Sequence, residues 1–175
     1  AKFECVGQKW VDMSENNYGV ALLNDCKYGF GAEDNVLTMT LLKSGGYPYE
    51  EAAEHIPEFT YALYPHGGDF RKGGVAEAAY VLNRGFAARK LGKQEGRLGE
   101  KYSFVTCSAV GVYAETVKKS EKGDGIVLRI YEAYKETKEV TLRFADKVRG
   151  VCLCDMLENE ESRLSFDAEK VTFTI

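Results

Sequence analysis

From residue 103 to the C-terminus the chain is a succession of short runs rich in Val, Ile, Leu, Phe, Tyr and Thr, each closed by a cluster of turn residues. The runs fall at 103–108, 111–118, 125–134, 138–144, 150–155, 164–167 and 170–175. Lys122-Gly123-Asp124-Gly125 and Asn159-Glu160-Glu161-Ser162 are the clearest turns between them. Successive strand residues point to opposite faces, so each run offers one apolar side that must be buried against another sheet. Near-regular spacing with turn punctuation is the pattern of a small antiparallel β-sandwich.

The first half reads similarly. Strands are expected over 3–10, 19–25, 36–43 and 59–64. The run containing Val20 and Leu22 is almost continuously apolar, as in a strand covered on both faces. Leu37, Met39 and Leu41 alternate with Thr38 and Thr40, as in a half-exposed strand. One helix is expected over 74–83, where Val75, Ala78, Ala79 and Leu82 fall at i, i+3, i+4 and i+7. Residues 85–101 turn to glycine and charge without periodicity, which reads as a connection. The predicted organisation is an all-β chain with one β unit over 1–90, a linker at 91–100 and a small sandwich over 101–175. The 18 glycines and 3 prolines suit such a turn-rich chain.

Composition removes several functions. The net charge of −4 and scattered basic residues do not provide the cationic surface that phosphate backbones require, so no nucleic-acid partner is expected. No apolar run approaches the roughly 20 residues needed to cross a bilayer as a helix. The opening Ala1-Lys2-Phe3-Glu4 lacks the apolar stretch of a secretory signal. Five cysteines, at 5, 26, 107, 152 and 154, form no disulfide framework; they read as free thiols of a cytoplasmic protein. Cys152 and Cys154 fall on one face of a strand, a spacing open to a soft metal or to simple packing of small residues.

Candidate catalytic groups are sparse. Glycoside hydrolysis needs two converging carboxylates, and the acids here gather in charged runs such as Glu50-Glu51 and 158–161, which read as solvated faces. Of the two histidines, His55 is expected in a surface loop, Glu54-His55-Ile56-Pro57, and His66 is expected to order its turn through a backbone hydrogen bond or to lie at a domain interface. No glycine-rich loop joins a strand to a helix, so no phosphate cradle is expected. The polar cluster Asn24-Asp25-Cys26-Lys27-Tyr28 is different. It ends an apolar strand, where polar groups need partners or a ligand. It reads either as a hairpin network with Asp25 paired to Lys27, or as a sugar site with amide, carboxylate, ammonium and aromatic face.

Three blocks carry a family resemblance. They are the stretch 12–30 with Leu22-Leu23-Asn24-Asp25-Cys26-Lys27-Tyr28-Gly29 within it, then Glu58-Phe59-Thr60-Tyr61-Ala62-Leu63-Tyr64-Pro65-His66-Gly67-Gly68-Asp69-Phe70, then Lys118-Lys119-Ser120-Glu121-Lys122-Gly123-Asp124-Gly125-Ile126-Val127-Leu128-Arg129-Ile130-Tyr131-Glu132. Together they resemble the C-terminal β region of the retaining α-mannosidases of glycoside hydrolase family 38, of bacterial, cytosolic type. Gln8-Lys9-Trp10 departs from relatives that often carry a histidine before the basic residue. The resemblance implies the end of a galactose-mutarotase-like supersandwich followed by a small antiparallel sandwich. It implies a non-catalytic region that braces an N-terminal catalytic domain of the same polypeptide. That domain would hold the aspartate nucleophile and a divalent metal, zinc, neither of which maps onto residues here; no cofactor is expected in this stretch. It also implies that a loop reaches the rim of the pocket for a mannose-containing carbohydrate, which singles out Asn24, Asp25, Lys27 and Tyr28.

Relatives usually continue past the last strand, so the chain is expected to be a piece of a longer one, and edges left without partners would favour a homo-oligomer. A different reading is a stand-alone carbohydrate-binding module, for which Trp10, Tyr47, Tyr49, Tyr61 and Tyr64 are the candidate platform. An autonomous enzyme ranks last.

Overall fold

The computed structural model describes residues 4–43, 45–48, 50–54, 56–93 and 95–175. His55 and Tyr49 lie outside the described residues. The chain divides into two units, Ala1–Lys90 and Leu91–Ile175. Both are built mainly of antiparallel strands, as an all-β supersandwich end and a small β-sandwich.

The first unit contains β1 (Cys5–Val6), β2 (Trp10–Ser14), β3 (Tyr18–Asn24), β4 (Gly29–Glu33), β5 (Val36–Met39), a short 3-10 helix (Glu50–Ala53), β6 (Tyr61–Gly67) and α1 (Val75–Arg84). They form two sheets, β1–β4–β5 and β2–β3–β6. In the second sheet Asp12 pairs with Ala21 and Ala21 with Tyr64, so alternate residues of the three strands share a face. That face carries Trp10, Ala21, Leu23, Ala62 and Tyr64, and α1 lays Val75, Ala78, Ala79 and Leu82 on it. The apolar stripe read from the sequence is therefore the stripe that packs. Glycines close the helix at both ends, Gly74 with φ 64° and Gly85 with φ 61°, a conformation that side chains resist. On the opposite face Leu22 is buried, and the β1–β4–β5 sheet contributes the fully buried Phe30. A Cβ on Gly7 would meet Val11 at 3.0 Å and the Phe30 ring at 3.1 Å, so the two sheets touch there. β3 is thus covered on both faces, as its continuous apolar run predicts.

Some boundaries differ from the sequence reading. The strand expected over 3–10 is broken at Lys9, whose φ of 67° reverses the chain in a tight turn closed by Trp10 N–H donating to Gln8 O at 2.8 Å. β1 thereby joins one sheet and β2 the other. The strand expected over 59–64 runs on through Pro65 and His66. Proline fits there because β6 is an edge strand and its missing N–H costs no ladder bond. β4 escaped the reading because Gly29, Gly31 and Glu33 leave Phe30 as its one large apolar residue.

The second unit contains β7 (Val105–Cys107), β8 (Val112–Lys119), β9 (Ile126–Glu132), β10 (Glu139–Phe144), β11 (Cys152–Cys154), β12 (Glu160–Arg163), β13 (Phe166–Asp167) and β14 (Lys170–Thr174). A four-stranded sheet has the order β13–β14–β10–β7, with hairpins β8–β9 and β11–β12 beside it. Val112, Val140, Leu142 and Val171 form the core, with Leu128 and Ile130 of β9 packed against it. Each such side chain contributes roughly 1.5–3 kcal/mol by leaving water.

Two expectations about charge are corrected here. The turn expected at 159–162 is mostly strand β12, an exposed strand with no apolar pattern, held by its pairing with β11. Glu158 is not a solvated acid. Its carboxylate lies 2.6 Å from Lys118 Nζ and accepts hydrogen bonds from Glu121 N–H at 2.8 Å and Ser120 Oγ at 3.0 Å. The Lys118 bond, followed by the Glu121 N–H, pulls this carboxyl down from 4.5 to about 2. A depressed carboxyl stabilises the fold fully above its unfolded value, and that contribution fades as pH falls through the folded one. Glu158→Gln is therefore expected to flatten the loss of stability between pH 4.5 and about 2. Urea midpoints across that range check this; an unchanged pH slope would contradict it.

Candidate functional site

The polar cluster begins at the buried end of β3. Asn24 is 1% exposed, and it is a core residue, not an outward one. Its N–H donates to Lys9 O at 2.8 Å, and its carbonyl accepts from Asn83 Nδ2 of α1 at 2.9 Å. Its side-chain Oδ1 accepts Lys27 N–H at 2.6 Å, which folds residues 25–28 into a tight turn. The same Asn83 amide donates to Ala79 O at 2.8 Å, so the helix end and the strand end are tied through one side chain.

Asp25 does not pair with Lys27, as the hairpin reading had it. Its Oδ2 accepts Thr60 N–H at 2.9 Å while its own N–H donates to Thr60 O at 3.2 Å. The Thr60 N–H is the main reason its carboxyl titrates below the ordinary aspartate value, with the Cys26 thiol second. The same thiol is pushed up, first by its bond to Asp25. Lys27 instead extends its ammonium over the Phe59 ring, 4.5 Å from the centroid. Tyr28 stands 57% exposed. The structure thus brings Asp25, Lys27 and Tyr28 together on one turn and turns Asn24 inward as the residue that shapes it.

Sequence reasoning missed Phe59 and Thr60. Asn24 pairs with Tyr61 in the β3–β6 ladder, so the residues before Tyr61 necessarily face the turn after Asn24. Phe59 and Tyr61 stack with centroids 6.3 Å apart, extending the aromatic surface beside Lys27. The strand pairing was the available signal, and it needed the register. The platform expected of a binding module does not assemble. Trp10 and Tyr64 pack under α1, and Tyr64 Oη donates to Gly73 O at 3.0 Å. Tyr47 is exposed on a separate loop.

His66 also departs from expectation. It makes its bond to a side chain, not to backbone: Nε2 lies 2.8 Å from Asp12 Oδ1, with the two side chains 2% and 5% exposed. The ring crosses over β3 at Gly19, where a Cβ would sit 2.4 Å from His66 Cε1. A Cβ on Gly73 would sit 2.5 Å from its Nδ1. The pair is a structural clamp between β2 and β6, sealed from solvent. Among the described residues no group of three or more His, Cys, Asp or Glu is placed to hold a metal ion, so these residues do not fit the zinc site that the resemblance assigns to a catalytic domain.

Comparison with known proteins agrees with this architecture. Residues 1–51 match the family model described as glycosyl hydrolases family 38 C-terminal domain, and residues 111–175 match the family 38 C-terminal beta sandwich domain. The chain is 38% identical over 164 residues to alpha-mannosidase 2C1 of Homo sapiens, covering 92% of this chain and 16% of that protein. It is 34% identical over 135 residues to alpha-mannosidase G of Dictyostelium discoideum, covering 77% of this chain and 12% of that protein. A crystal structure of an alpha-mannosidase from Enterococcus faecalis V583 superposes with a TM-score of 0.77 at 21% identity, over 97% of this chain and 21% of that one, and shares the fold. The chain therefore spans 16% and 12% of the length of these two curated relatives. By sequence and fold it corresponds to the C-terminal β region of a family 38 glycosyl hydrolase homologue.

Proposed function

We propose that this chain is the non-catalytic β region of an α-mannosidase, where it braces an N-terminal catalytic domain and lends one turn to the rim of the pocket for a mannose-containing carbohydrate. The observation that carries this reading is the alignment of 92% of the chain with 16% of a mannosidase. The surface supports it. Edge strand β6 leaves Leu63 70% and Tyr61 57% exposed, an apolar row of the kind a neighbouring domain covers. The zinc and the nucleophile belong, in this reading, to that neighbouring domain. Residues 91–100 act as the linker between units. Cytoplasmic residence goes with five free thiols, and a second copy pairing along an open edge would make a homo-oligomer.

In the rim, Asp25 and Tyr28 face outward to accept and stack on a sugar, Lys27 supplies a charged donor, and Asn24 fixes the turn. The test is Asp25→Asn, Lys27→Met and Tyr28→Ala in the full-length enzyme, the last of which removes the aromatic face. Loss of one charged hydrogen bond made in the transition state is expected to lower turnover roughly ten- to a hundredfold with little change in melting temperature. Unchanged kinetics in all three would remove the turn from the site and leave a brace alone.

A further inference from the structure

The Cys152–Cys154 pair plays no part in the clamp, the cores or the 24–28 turn. Both residues lie on β11, which pairs only with β12 in a short hairpin. Positions i and i+2 of a strand share a face, and here the two Sγ atoms are 3.7 Å apart. Cys154 is exposed and Cys152 half-buried, so they do not fill a core. Glu160 lies directly across from Cys154 in the ladder. A disulfide requires sulfurs about 2.05 Å apart, well inside the present spacing. Two metal–sulfur bonds of about 2.3 Å would instead span the observed gap at an angle near 107°, close to tetrahedral.

We propose that Cys152 and Cys154 form a two-thiolate chelate for a soft d10 cation, of the class of zinc, cadmium and monovalent copper. The remaining coordination positions face solvent. Binding a divalent ion converts two thiols to two thiolates and releases two protons, so affinity rises with pH. The proposal stands or falls independently of the mannosidase reading.

The test is a cadmium titration of this chain, followed by ultraviolet thiolate-to-metal charge-transfer absorption and by proton release. The expected result is one cadmium per chain with two protons released, abolished by Cys152→Ser and by Cys154→Ser and retained by the Cys5→Ser/Cys26→Ser double variant. Absence of the band at one equivalent, or its persistence in both single variants, overturns the proposal. A second arm uses the unaltered chain: one equivalent of cadmium should protect Cys152 and Cys154 from iodoacetamide, mapped by peptide mass. Equal alkylation with and without the ion overturns it as well.

Discussion

Gly19→Ala is expected to lower the melting temperature of the first unit by at least about 12 °C, the shift that a loss of roughly 3 kcal/mol produces in a unit of this size. The added methyl would sit 2.4 Å from His66 Cε1, 2.8 Å from Nε2 and 2.5 Å from Ser14 Cβ. Overpacking alone costs about 1–3 kcal/mol. The ring has little room to retreat, because Gly73 also approaches it at a distance that admits no side chain. It must swing off Asp12, and each buried polar group left without its partner costs about 1–3 kcal/mol more. Adding His66→Ala to the Gly19→Ala chain should recover only part of the loss, since the contact with Ser14 remains. A melting temperature indistinguishable from that of the unaltered chain would contradict this account of the clamp.

Asp12→Ala is expected to cost about 1–3 kcal/mol, the penalty of leaving a buried polar group without its partner, measured by urea unfolding of the chain. His66 Nδ1 is already buried without a hydrogen-bond partner among the described residues. Removing Asp12 would leave the second ring nitrogen unpartnered as well, in a slot that admits no large movement. Asp12→Asn keeps an oxygen at the position of Oδ1 and should lose distinctly less. Equal, small losses for both variants would mean that the His66–Asp12 contact contributes little and that β2 and β6 are held by their ladders with β3 alone.

The parts of this fold that were legible in the sequence were those where a single element carries its own pattern. Val75, Ala78, Ala79 and Leu82 announce the packed face of α1, and the unbroken apolar run of β3 announces a strand covered twice. What stayed hidden depends on partners distant in sequence. β12 is exposed along its length and exists because β11 pairs with it. Glu158 looked like one acid in a charged run, yet Lys118 and Ser120 lie across the fold from it. His66 looked like a turn residue because nothing in Tyr64-Pro65-His66-Gly67 points to Asp12, 54 positions earlier. The candidate site was legible in outline, because a polar cluster ending an apolar strand is unusual. Its internal division was not: Asn24 turns inward to hold Lys27 N–H, and Asp25 answers Thr60. The glycines at 19 and 73 make sense only once the imidazole lies against both.

The central claim is that this β region contributes to mannoside hydrolysis without performing it. The direct measurement is hydrolysis of an aryl α-mannoside, with zinc supplied, by the purified chain and by the full-length polypeptide with and without this region. The expected result is no turnover by the chain above the buffer blank, turnover by the full-length polypeptide, and loss of that turnover when the region is removed. Turnover by the chain alone that survives repurification would contradict the claim, as would full activity in a polypeptide that lacks it.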